Sequence, residues 1–251
     1  MERSKYLCFI LFLSLISISN SNVWAQRNYS SDIYNAYITG DMGKWKSAMD
    51  QMEKENPGSP DRKLELIGYY YGYTAYLIGL GNKDKEAKAN IEKAEKLIKD
   101  VLNQSPQNAT ALAYKGSFIG YKISLNKVKA MIIGPESINS INKAYKIDPE
   151  NVQAVADKAN LMHYAPGAFG GDKAGALELY EKGIRLMEKR NQTHENWFYL
   201  SLMTSLARRY EEAGQYDKAK TLYEKILRVE PRFKWVKDEL YPSLLTLMRN
   251  K

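Results

Sequence analysis

Histidine is the side chain best suited to acid–base work and metal ligation near neutral pH, and this chain has two, His163 and His194. They stand 31 residues apart with no cysteine near either, whereas a metal site needs several ligands at compact spacing. Only Asn160 shares a helical turn with His163, so a core or groove-lining histidine is expected, with no metal and no cofactor. Gly170-Gly171-Asp172 could cradle a phosphate ahead of a helix N-terminus. It lacks the spaced glycines and the Lys-Ser/Thr pair of a phosphate loop, and Asp172 reads better as the N-cap of the next helix. Cys8, the single cysteine, lies inside an apolar run. No nucleophile and acid–base pair converge, so the chain is expected not to be an enzyme.

Tyrosine is the residue type left to explain. There are 19 Tyr against 6 Phe and 4 Trp, and a ring with a polar tip suits half-buried or binding surfaces. The formal charge is +8, but Lys and Glu are interleaved, as in AKANIEKAEKLIKD (87–100), which marks solvated helix faces. No basic run with interleaved aromatics appears, so no nucleic-acid partner is expected.

The elements that must position these tyrosines are clearest between Leu206 and Pro231, LARRYEEAGQYDKAKTLYEKILRVEP. Leu206, Ala207 and Tyr210 form one helical face, and Gly214 sits at a turn that favours positive φ. Ala219, Tyr223 and Ile226 line one stripe of a second helix, and Pro231 stops it. This stretch resembles the tetratricopeptide repeat, with its L-G/A-x-x-Y face, turn glycine, A-x-x-x-F/Y-x-x-A stripe and closing proline.

The same spacing recurs upstream. Before Pro57 the stripe is Trp45, Met49 and Met52, with Gly40 at the turn; Trp45 stands in a small-residue slot, so the packing there must open or shift. Before Pro106 the stripe is Ala94, Ile98 and Val101, and before Pro149 it is Ser137, Ile141 and Ala144. Ala176, Tyr180 and Gly183 keep the spacing without a proline, in a helix running on toward Met187. First helices offer Gly68 with Tyr71, Gly116 with Ile119, and Ala159 with Met162.

The prolines lie 49, 43 and 82 residues apart, none a multiple of the roughly 34 residues of the family's unit. The first excess is expected to lengthen the helices 64–80 and 84–102. The second is expected to extend the helix after Lys115 and a loop near Gly134-Pro135, and the third forms a loop at Tyr164–Asp172. The expected fold is all-α: a right-handed solenoid of about five hairpins over residues 26–251, closed by a broken capping helix at 232–249.

The resemblance implies a concave groove lined by the first helix of each pair, receiving a protein or peptide segment. The positions assigned to it are Tyr34, Tyr37, Tyr69, Tyr73, Ser117 and Tyr121, then Asn160, His163 and Tyr164, and last Thr204, Arg208 and Glu211. Either these tyrosines anchor a partner, or some of them fill contacts between hairpins. The alternative function is a solute-binding component of a transport or glycan-uptake system, taking a small molecule or glycan with the 164–172 loop as a lid. That loop and the K-A-x-x-L-Y after it resemble a segment of some exported bacterial tetratricopeptide proteins, including the periplasmic T component of certain solute transporters.

Residues 1–25 read as a secretory signal peptide. Arg3 and Lys5 precede an apolar run from Tyr6 to Ile18, and Val23-Trp24-Ala25 offers a cleavage site. The run is short for a membrane span, although an uncleaved anchor is the alternative. Export to the periplasm or cell surface is expected, compatible with association with a membrane complex.

Overall fold

The computed structural model describes residues 28–250, so the expected signal peptide and its cleavage site lie outside the described residues. Among the described residues there are eleven α-helices and no strand. Ten of them pair as antiparallel hairpins: α1 (Ser30–Thr39) with α2 (Met42–Lys54), α3 (Pro60–Leu80) with α4 (Asp84–Gln104), and α5 (Ala109–Leu125) with α6 (Ala130–Ile147). Next come α7 (Val152–Tyr164) with α8 (Lys173–Lys189), and α9 (Trp197–Glu212) with α10 (Tyr216–Val229). Among the described residues no helix is long and apolar enough to cross a membrane.

Local chemistry sets the helix ends. Ser59, Asn108, Asn151, Asp172 and Asn196 each accept a backbone N–H with the side chain at the start of a helix, relieving donors that have no intrahelical partner. The turns after α1 and α9 pass through Gly40 and Gly214, both at φ 72°, where a Cβ would be strained. Every member of the five expected stripes is buried. The small first-helix residues matter by contact: a Cβ on Gly116 would sit 2.8 Å from the Ser137 carbonyl oxygen, so glycine lets α5 and α6 approach closely.

Trp45 shows how the oversized residue is housed. Its indole is buried and donates to the Tyr69 carbonyl at 3.1 Å. Gly72 makes the space, since a Cβ there would lie 2.8 Å from the Trp45 ring and 3.0 Å from Trp197.

That contact with Trp197 belongs to a closure that hairpin periodicity does not encode. The first hairpin packs against the last. Tyr34 and Ile38 of α1 share one apolar core with Leu200, Met203 and Phe233, and Tyr37 meets the Trp197 ring at 6.1 Å and Phe233 at 5.0 Å. Trp45 lies 4.9 Å from Trp197, edge to face.

The C-terminal cap begins with Phe233 and Val236, both fully buried. A π-helical turn at Trp235–Leu240 leads into α11 (Tyr241–Arg249). The wider turn absorbs Pro242, which has no N–H to give to an α-type bond. One expectation is corrected: Gly134-Pro135 is not a loop but lies inside α6. Pro135 removes one bond, to the Met131 carbonyl, and Met131 is exposed enough for water to take that place.

Candidate functional site

The inner face of the stack carries a buried polar network centred on Asp157. Asp157 is fully buried on α7 and accepts from the Tyr71 hydroxyl at 3.0 Å and from Gln153 Nε2 at 2.8 Å. Ser117 and Asn160 also bond to its carboxyl. Asn160 donates to the Tyr71 oxygen at 3.2 Å and accepts from the Tyr180 hydroxyl at 2.5 Å. Tyr121 stacks on Tyr71 with centroids 5.4 Å apart and donates to the Tyr71 carbonyl at 3.3 Å. Burial disfavours the charged carboxylate and raises Asp157 to about 7, against the pull of these donors.

One turn further along α7 a second cluster reaches the surface. Arg209 of α9 donates to His163 Nε2 and to Glu212 at 2.9 Å. A guanidinium has no acceptor, so its contact calls for a lone pair on Nε2, whereas the Glu212 carboxylate, 3.2 Å from the same nitrogen, would accept a proton from it. Burial first, and then the Arg209 charge, lower the His163 pKa, with the Glu212 carboxylate opposing them. Tyr164 packs edge-on against His163 at 4.7 Å, with the Arg209 guanidinium 5.3 Å from its ring centre. Yet Tyr164 is 69% exposed.

The expected groove residues therefore separate into groups. Tyr121, Asn160, His163 and Tyr164 come together around the Asp157 network. Tyr34, Tyr69 and Tyr73 do not line an open groove: they are buried, and their hydroxyls donate to Glu230 (2.8 Å), Glu65 (2.6 Å) and Glu86 (3.4 Å). The reason is that α9 and the cap fold onto α1, while the other two hydroxyls find acids on their own hairpin. Tyr37 is half-buried in the same closure, hydrogen-bonded to Ser201 and Thr204, and burial raises it to about 12. Arg208 points away from the cluster, 5.8 Å over the Trp235 ring of the cap.

Asp157, Gln153 and Arg209 were missed by sequence reasoning. Asp157 lies four residues after Gln153 and three before Asn160, a polar row on a helix otherwise rich in alanine. A shallow cleft of about 400 Å³ opens where the loop before α9 crosses α3 and α5, lined by Gly68, Tyr69, Tyr114, His194 and Trp197. Among the described residues no group of three or more His, Cys, Asp or Glu could hold a metal ion.

No family model and no curated protein matches this sequence. Solved structures do. The crystal structure of TTC0263, a thermophilic TPR protein in Thermus thermophilus, superposes with a TM-score of 0.54 at 15% identity, over 87% of this chain and 100% of that one. The fold is that of a tetratricopeptide-repeat protein. The crystal structure of MamA protein aligns at 18% identity over 84% of this chain and 96% of its own, with a TM-score of 0.35. As a tetratricopeptide-repeat fold, the chain departs from an open groove where its first and last hairpins meet.

Proposed function

We propose that this protein is a non-catalytic scaffold that docks a protein segment on the patch formed by Tyr121, Asn160, Tyr164 and Arg209. The observation that carries this reading is the state of Tyr164. Its ring is held by His163 and Arg209 on one side, yet more than two thirds of it faces solvent. An aromatic side chain fixed before binding loses little entropy when a partner covers it, which is the property of an interface anchor. Arg209 and Glu212 beside it supply paired charges, and Asn160 and Tyr121 a hydrogen-bonding floor. The fold supports a scaffold role, since its hairpins expose long faces without a catalytic constellation.

The proposal includes export to the periplasm or cell surface, on the strength of residues 1–25 alone; a mature chain beginning at Gln26 is the corresponding result. The docking reading is tested by crosslinked pull-down from native cells, comparing wild type with Tyr164→Ala and with Tyr121→Ala. Loss of a shared partner band from both variants supports it, and an unchanged set of partners refutes the assignment. Tyr164→Ala removes a mostly exposed ring whose contacts are with His163 and Arg209, so folding is expected to be preserved in that arm.

A further inference from the structure

All turns from first to second helix lie along one edge of a hairpin stack, and here that edge carries apolar side chains in solvent. At the tip joining α5 to α6, Val128, Met131 and Ile132 are 81%, 82% and 80% exposed. On the flanking turns Tyr76 and Leu80 lie in the last turn of α3, and Phe169 belongs to the loop after α7; all three are exposed. Side chains of this size are placed in water together mainly where something covers them.

The charge at the tip is one-sided. From Phe118 to Pro135 the only charged residues are Lys122, Lys127 and Lys129. Lys122 is paired with Glu95 of α4. Lys127 and Lys129 are exposed on either side of Val128, and among the described residues neither is held in a salt bridge. Of the acids at the flanking turns, Asp84 and Glu86 begin α4 beside Lys83 and Lys85, and Asp172 caps α8. A Cβ built on Gly120 or Gly134 would meet nothing within 4 Å, so the helix faces beside the tip are open at both glycines.

We propose that the α5–α6 tip docks on an anionic phospholipid surface. Val128, Met131 and Ile132 enter the boundary between headgroups and acyl chains, Lys127 and Lys129 meet the phosphates, and Phe169 lies at headgroup level. A protruding apolar wedge flanked by cations suits that medium, and aromatic rings favour the same depth. Without the lysines the wedge would be too small to hold the chain, and without the wedge two cations would give only salt-sensitive contact. The tip shares no residue with the Asp157 network or the Tyr164 patch, and the contact holds whether or not a protein segment docks there.

The test uses the full chain with Cys8→Ser and Met131→Cys, so that one environment-sensitive fluorophore reports on the tip alone and not on residues 1–25. Phosphatidylglycerol vesicles are expected to shift its emission to the blue, and lipids carrying a quencher on the acyl chain should quench it. Phosphatidylcholine vesicles should do so far less. Lys127→Gln and Lys129→Gln should each weaken the response about fivefold, following the attraction of one basic residue to an anionic leaflet. Added salt should weaken it as well. An unchanged spectrum with phosphatidylglycerol vesicles overturns the proposal, as does an equal response to phosphatidylcholine. A label silent to both lipids but buried by a protein from the lysate would assign the tip to a protein partner instead.

Discussion

The Tyr34 hydroxyl donates a 2.8 Å hydrogen bond to Glu230, 196 residues further along the chain, and Arg232 bonds the same carboxylate at 2.9 Å. The Arg232 bonds hold the Glu230 carboxyl near 2, so it stays ionised as an acceptor. A stack of repeats ordinarily touches only its neighbours, so its stability is a sum of local terms. Here the ends are in contact, and the two ends should share one unfolding transition.

Removal of a side chain in the cap should therefore be felt in the first hairpin. Phe233→Ala deletes a fully buried ring that touches Tyr37, and is expected to cost about 3–5 kcal/mol. Amide exchange should rise at Ile33 and Ile38 of α1 as much as in α10. Fast exchange confined to the cap would contradict the closure. Tyr34→Phe, which keeps the ring, should cost about 1.5–3 kcal/mol, as for a bond to a charged group.

Asp157 should make the protein less stable as pH rises. Below its ordinary value of 3.8 the carboxyl is protonated in both states. Between there and about 7 the unfolded chain has lost the proton while the folded chain keeps it, so folding free energy falls through that window and is flat above it. The loss is on the order of a few kcal/mol. Asp157→Asn, with Gln153 turning its carbonyl toward the new amide, should abolish that slope and be the more stable form at pH 8. Urea midpoints from pH 4 to 8 decide this, and parallel curves for the two proteins would contradict it.

Gly72→Ala is a one-carbon test of the Trp45 accommodation. The added Cβ would press on both Trp45 and Trp197 at 3.0 Å or less, and overpacking of this kind costs about 1–3 kcal/mol. Thermal melting should show the loss, and Trp45→Leu in the same chain should recover part of it. A melting point unchanged by Gly72→Ala would mean that the ring cluster yields freely.

Much of the fold was legible because a repeat is a local pattern. Ala219, Tyr223 and Ile226 form a stripe by helical spacing alone, and the same spacing located Trp45, Ala94 and Ile141. The closure was not legible, since nothing in the period relates Tyr34 to Glu230. Helical spacing likewise told which face Tyr34, Tyr69 and Tyr73 occupy, but not that other acids and another hairpin would cover them. Pro135 was misread as a loop because exposure lets its lost hydrogen bond be replaced by water. At the candidate site, helical spacing put Asn160, His163 and Tyr164 on one face of α7, and they do cluster there. Asp157 escaped because the polar row Gln153, Asp157 and Asn160 reads as a solvated stripe until Tyr71, from another hairpin, packs over it.

The docking claim is tested most directly by a photocrosslinking residue placed at Tyr164 and, in a separate chain, at Lys220 on the outer helix of the last hairpin. After irradiation of living cells, the account predicts one discrete polypeptide adduct from position 164 and none of that size from position 220. No adduct at 164, or the same adducts from both positions, would contradict it.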